Sequence, residues 1–357
     1  MIANEQEPAS GKPSVTPSRR LFSWFNALFA LVLLVWGGWY VISQITLAEI
    51  GRALALANPL FIALALLVFL LTLLTKAWRW QWQFVPQAER PSFSASFWAI
   101  MLGQFVNTAV SFLRLGEIAR VYALYQQSGI SKVKSLGTLV VEKSLDLIML
   151  SLTLLILVPF IILPDFIAER GVSLGLAALL ALVALYLLAY QTQWALQLSE
   201  WLLRPLPARW GRRLLQFITS GLEGLASLRD RRARRNLLAL SGLIALFSVL
   251  MPLVLFPAFN LPFGLIEAIL INLVVTVTAV LPIPTPGRIG VFEFAVMFML
   301  RQFGFTDEAT AFSYAVVFHL LIIGPQVLFG VMAAWRTDWR WGKTAVSPSP
   351  APLPLNE

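Results

Sequence analysis

Long apolar runs separated by short polar breaks dominate the chain. Six of these runs are long enough to cross a bilayer: residues 21–43, 59–78, 136–163, 171–190, 236–259 and 309–335. A spanning helix needs about 20 apolar residues to cover a hydrocarbon core roughly 30 Å thick. Backbone polar groups in lipid must be satisfied within the segment, so the runs are predicted as helices. Two further segments begin apolar and then break. Residues 93–127 are interrupted at Arg114-Leu115-Gly116-Glu117, and residues 263–303 at Pro282-Ile283-Pro284-Thr285-Pro286-Gly287-Arg288. Three prolines and a glycine in six residues cannot continue a helix.

Orientation follows from the arginines. The loop at 191–235 carries nine of them, among them Arg212, Arg213, Arg231 and Arg232, and such a loop is expected on the cytoplasmic side. If each broken segment enters and leaves on one face, every basic loop and both termini fall on that side. A single crossing by either would put Lys132 and Lys134, or the basic tail, outside. The expected fold is therefore an all-α polytopic membrane protein with about six full transmembrane helices and two re-entrant hairpins. The order span, span, hairpin, span occurs twice, in halves at 21–163 and 171–335 that run in opposite directions. Thr108-Ala109-Val110 before the first break is echoed by Thr278-Ala279-Val280 before the second. Inverted repeats whose broken helices meet at the midplane characterise transporters, with the binding site between the breaks.

Composition agrees with this pattern. Hydrophobic residues make up 58% of the 357 and charged ones only 13%, against roughly 25% charged in soluble domains. The net charge of +9 raises nucleic acid as a partner. The basic residues lie beside apolar runs, however, where anionic headgroups explain them better, and no nucleic acid is expected. There is no cysteine and a single histidine, His319, so no metal or cofactor is expected. Residues 1–20 and 337–357 read as cytoplasmic tails rich in polar residues and proline. Arg19-Arg20 before the first run resembles a twin-arginine signal, but that run is too long for a signal segment, and a positive-inside anchor is the simpler reading. Trp78, Trp80 and Trp82 among Lys76 and Arg79, like Trp335, Trp339 and Trp341 among Arg336, Arg340 and Lys343, read as interfacial anchors.

The remaining charges are harder to place in lipid. A charge at the bilayer centre costs about 2.5–3.5 kcal/mol or more, so such residues are functional candidates. Glu117 can meet Arg120 or Arg114 at i,i+3 spacing. Glu142, Lys143 and Asp146 lie within the span at 136–163. Only 17 residues follow Asp146 there, about 25 Å of helix, which leaves Asp146 inside the membrane boundary. Glu142 and Asp146 share a face and need a cation, for which Arg114 or Arg120 is the candidate; the alternative is that they snorkel to the interface. At the second break, Gly287 and Gly290 allow backbone N–H groups near a ligand, Arg288 adds charge, and Glu293 follows one turn into the returning helix. Against this stands a turn that only reverses the chain. Glu267 and Asn272 could line the same cavity. His319 is either a packing histidine or a proton relay.

These residues also carry a family pattern. N-x6-R-L-G-E-x2-R at Asn107 to Arg120, E-K-x2-D at Glu142 to Asp146, and P-x-P-x-P-G-R-I-G-V-x-E at Pro282 to Glu293 resemble the lysylphosphatidylglycerol synthase transmembrane-region family, a flippase-like domain. The resemblance covers roughly 21–336. Two positions depart from it: Phe112-Leu113 stand where a proline often precedes the arginine, and Gly287-Arg288 where the family often has two glycines. The resemblance implies a domain that handles phospholipids or polyprenyl-type lipids and moves them between leaflets. Fused relatives add a soluble domain that aminoacylates phosphatidylglycerol. The Ser/Pro-rich tail leaves no room for one, so a synthase, or any enzyme, is not expected.

The leading expectation is a lipid translocase or lipid-binding transporter of the bacterial inner membrane. The lipid contacts would come from Asn107, Arg114, Gly116, Glu117, Arg120, Glu142, Lys143, Asp146, Pro286, Gly287, Arg288, Gly290 and Glu293, with His319 as a relay. Arg114, Arg120 and Arg288 would meet the phosphate. The alternative is an accessory subunit that positions a lipid-synthesis enzyme.

Overall fold

The computed structural model describes residues 47–109, 115–157, 226–280 and 285–336. The expected spans at 21–43 and 171–190, both tails and most of the basic loop lie outside the described residues. Within them every regular element is helical: α1 (Leu47–Leu56), α2 (Pro59–Trp82), α3 (Phe93–Ala109), α4 (Gly116–Ser128), α5 (Lys132–Leu157), α6 (Arg231–Leu255), α7 (Leu265–Val280), α8 (Val291–Gln302) and α9 (Glu308–Arg336). Short turns add Gln87–Glu89, Ala226–Arg229, Phe256–Phe259 and Pro286–Arg288.

Local chemistry sets the helix ends. Pro59 opens α2 behind Asn58, whose side chain accepts the Leu60 N–H at 3.0 Å, because proline fits the first turn and asparagine satisfies a free donor there. Asp230 does the same for α6 by accepting from Ala233 N. That cap starts α6 at Arg231, five residues before the expected apolar start. Nothing breaks the chain after Trp78, so α2 runs on to Trp82. The apolar pattern does not predict α1.

Length separates two kinds of helix. Pro59–Trp82, Arg231–Phe259 (α6 with the turn that extends it) and Glu308–Arg336 are long and apolar enough to cross a membrane. α5 has 26 residues but carries charges. The arms α3, α4, α7 and α8 have 17, 13, 16 and 12 residues. At 1.5 Å per residue the longest reaches roughly 26 Å, short of the roughly 30 Å hydrocarbon core.

Each pair of short arms packs antiparallel. Asn107 Oδ1 accepts the Gly116 N–H at 2.8 Å, and a Cβ on Gly116 would lie 2.0 Å from the Gly103 carbonyl oxygen. Only glycine lets α3 and α4 approach so closely. In the second pair, Arg288 Nη2 donates to the Ala279 carbonyl at 3.4 Å at the tip, while the Phe263 and Phe303 rings stack edge-on 5.4 Å apart at the base. α2 and α6 run antiparallel along their whole lengths, from Asn58 N donating to Ala258 O at 2.8 Å to the Arg79–Ser241 contact. α9 spans both units. Gly330 fits against Phe105 and Met101 of α3, and His319 stacks on Phe292 of α8.

The two ends of this bundle differ in charge. At one, Arg90 and Arg232 lie 3.8 and 5.9 Å from the Trp82 ring centre, Lys132 lies 4.5 Å from that of Tyr125, and Arg336 lies 5.1 Å from that of Trp98. Glu267, Asp307 and the Arg301–Glu308 pair (3.6 Å) mark the other. The α3–α4 unit begins and ends at the basic end and the α7–α8 unit at the other. Their tips meet: a Cβ on Gly287 would lie 3.6 Å from Thr108 Cγ2 and 3.2 Å from Ile323 of α9.

Candidate functional site

Three helices, α2, α4 and α5, bring their charges together at the side of the first broken unit, and α6 adds a hydroxyl. Arg79, in the last turns of α2, is 2% exposed. Its Nη1 lies 2.7 Å from Asp146 Oδ1 and donates to Ser241 Oγ at 3.2 Å, and its Nη2 lies 3.9 Å from Glu142 Oε1. Arg120 of α4 grips the same Glu142 with both terminal nitrogens, one of them at 3.2 Å. Its guanidinium lies 4.5 Å from the Trp80 ring centre, and Trp80 in turn donates to Thr138 Oγ1 at 2.9 Å. A bidentate carboxylate and an aromatic face are what a planar guanidinium accommodates best. Glu142 and Asp146 therefore do not simply repel across their shared face, since each meets an arginine.

Glu117 completes the cluster at its edge. Its Oε1 lies 3.2 Å from Lys143 Nζ, while its Oε2 stands 3.6 Å from Arg120 Nε. That second approach is too long for a hydrogen bond, and both atoms are buried without a hydrogen-bond partner. Lys76 lies within electrostatic reach of Asp146, Arg79, Glu142 and Lys143.

A second, smaller arrangement sits in the other unit. Gly287 and Arg288 both have φ of 61° and Gly290 has 85°. Glu293 turns back to accept the Gly290 N–H at 2.7 Å, and its other oxygen lies 2.6 Å from His319 Nδ1. The imidazole stacks on Phe292, with ring centres 4.1 Å apart. Thr108, at the tip of the first unit, donates to Gln326 of α9 at 3.3 Å.

A family model described as the lysylphosphatidylglycerol synthase TM region matches residues 27–330. The chain belongs to that family. No curated protein and no solved structure matches it. Membership and the long apolar helices together make it an integral membrane protein of a lipid-related family.

In this lysylphosphatidylglycerol synthase TM-region protein the expected site residues divide into three sets. Glu117, Arg120, Glu142, Lys143 and Asp146 come together as one network. Asn107 and Gly116 fasten α3 to α4 through their own hydrogen bond. Gly287, Arg288, Gly290 and Glu293 form the second tip, where His319 joins them through its 2.6 Å Nδ1 contact with Glu293 as well as by packing. Pro286 opens the short turn there. Arg114 lies outside the described residues. Arg120, expected to meet a phosphate, is engaged by Glu142. Glu267 accepts the Gly264 N–H at 2.9 Å near the base of α7, away from the tip.

Arg79 and Trp80, interfacial anchors on the evidence of sequence, are instead buried in the network. Of Trp78, Trp80 and Trp82 only Trp78 is well exposed, at 53%. The signal available was an arginine on a span whose neighbour, three residues before it, is already lysine. Two cations so close on an apolar helix call for carboxylates on another helix.

Proposed function

We propose that this protein binds and translocates an anionic phospholipid or polyprenyl-type lipid along a polar path between the two broken units. The observation that carries this reading is the meeting of the two tips, Thr108 against Gly287, from units that begin at opposite ends of the bundle. Arms too short to cross, with polar tips in mid-bundle, suit re-entrant segments that line a cavity. In this reading the basic, tryptophan-rich end is cytoplasmic by the loop-charge rule, both termini lie on that side, and the membrane is the bacterial inner membrane.

The carboxylates hold the arginines of the network in place, Arg288 stands at the second tip, and the Glu293–His319 pair offers a position for a proton. The chain carries lipid and does no chemistry on it. With no G-x4-G-K-[ST] loop in the sequence, movement is coupled to an ion gradient or runs downhill.

The test is leaflet exchange of labelled phosphatidylglycerol in vesicles reconstituted with the purified protein. Glu117→Ala and Arg288→Ala are expected to slow exchange at least tenfold. Equal exchange in wild type and both variants would sink the translocation reading.

A further inference from the structure

An open groove of about 430 Å³ runs along the outside of the charge network, between α4 and α5. Glu117, Leu139, Val140, Lys143, Ser144 and Leu147 line it. Val140, Lys143, Ser144 and Leu147 follow one another at helical spacing, so they form a single stripe along α5. Val140 and Leu147 are half-exposed, at 51% and 47%, and the Lys143 side chain is 55% exposed. The stripe is therefore apolar above and below one ammonium group. Lys143 stands 11 residues into α5, roughly 16 Å from its basic end. A headgroup held there would lie well below that end.

Lys143 is the cation that this groove offers to an anion. In the network Arg79, Arg120 and Lys143 balance Glu117, Glu142 and Asp146, three cations to three carboxylates. Among the described residues Lys76 makes no ion pair. Of the three cations that do pair within the network, Arg79 and Arg120 are buried and Lys143 is open to the groove. The carboxylate that Lys143 meets, Glu117, has somewhere else to go. Arg120 Nε and Glu117 Oε2 are both buried, both without a hydrogen bond, and only 3.6 Å apart. A movement of about 0.7–0.9 Å would close that distance to the usual 2.7–2.9 Å of a charge-assisted bond.

Resting on the lipid-handling reading above, we propose that this groove seats an anionic phospholipid, its phosphate on Lys143 and an acyl chain along Val140 and Leu147. Glu117 yields Lys143 to the phosphate and closes onto Arg120 Nε. Glu117, Arg120, Glu142 and Lys143 then each keep an ionic partner whether the lipid is present or not, and Glu117 is the part that moves.

Binding of fluorescent phosphatidylglycerol to the purified protein in nanodiscs of phosphatidylcholine tests this directly. Lys143→Gln removes the phosphate's partner and is expected to weaken binding about tenfold, as one charge-assisted bond implies. Leu147→Trp fills the groove and weakens binding similarly. Leu246→Trp, on an outward position of α6 that is 57% exposed, leaves it unchanged. Glu117→Gln frees Lys143 and is expected to tighten binding several-fold, a sign that a merely structural carboxylate would not give. Unlabelled phosphatidylglycerol competes, whereas phosphatidylcholine and inorganic phosphate do not.

Unchanged affinity in both Lys143→Gln and Leu147→Trp, looser binding in Glu117→Gln, or competition by inorganic phosphate alone would overturn the seat. Leaflet exchange in the same preparations separates the two ideas. Groove-dependent binding without exchange removes translocation and keeps the seat. Exchange with groove-independent binding removes the seat and keeps translocation.

Discussion

Arg288 occupies a backbone conformation that suits glycine. Its φ of 61° follows that of Gly287, also 61°, and the left-handed region costs a residue with a Cβ roughly 1–2 kcal/mol. The family pattern often has a second glycine at this position, and the geometry supplies the reason. Arginine here therefore costs backbone energy that glycine would not. Arg288→Gly is expected to raise the thermal stability of the purified protein above that of Arg288→Ala by about 1 kcal/mol, since both lose the side chain and only one loses the strain. Equal melting midpoints would show that the backbone relaxes at this position. Legibility at this scale was uneven. Glu142 and Asp146 announced their need for cations through spacing alone, and Arg120 answered as expected. Arg79 was hidden because its partner Asp146 lies 67 residues away and because tryptophans at a helix end look the same whether they face lipid headgroups or a protein interior.

Whole elements were easier to read than partners, because proline, glycine and apolar length act locally. The interruption at Pro282–Arg288 stops a helix whatever surrounds it, and three of the expected spans, in α2, α6 and α9, needed only enough apolar residues. Their ends were less visible, since they depend on single side chains. Asp307 shows how. It lies just before α9 and accepts the N–H groups of Ala309 and Thr310 at 3.1 and 3.2 Å, and the Thr310 hydroxyl at 2.6 Å. The hydroxyl bond above all, with the two backbone N–H groups, holds its carboxyl below the ordinary 3.8 against some opposing burial. A carboxyl with a lowered folded value stabilises fully above its ordinary value, and that contribution disappears as pH falls through the lowered one. Asp307→Ala is expected to cost about 1 kcal/mol at neutral pH. The difference between wild type and variant should vanish in thermal melts taken well below pH 3.8. A constant difference across that range would assign the effect to packing.

At the scale of the molecule, chain order and charge placement foretold that the two broken units begin at opposite ends. They could not foretell what each tip touches, because those contacts join residues from different halves through apolar surfaces with no distinctive spacing. α9 is the element on which both units rest: Gly330 against Phe105, Gln326 against Thr108, Ile323 beside the Gly287 position and His319 against Glu293. If lipid passes between the tips, the first unit must shift relative to α9, since a packed interface rearranges between discrete states and does not stretch. The absence of cysteine makes this directly testable. Thr108→Cys and Gln326→Cys in one chain place two thiols where the native side chains already touch. A short, reducible, thiol-reactive bridge between them is expected to cut leaflet exchange at least tenfold, with recovery on reduction, while the same reagent leaves each single-cysteine chain at its own untreated rate. Exchange that continues at full rate through a complete crosslink would place the moving boundary elsewhere, between α2 and α6 or at the groove beside Lys143.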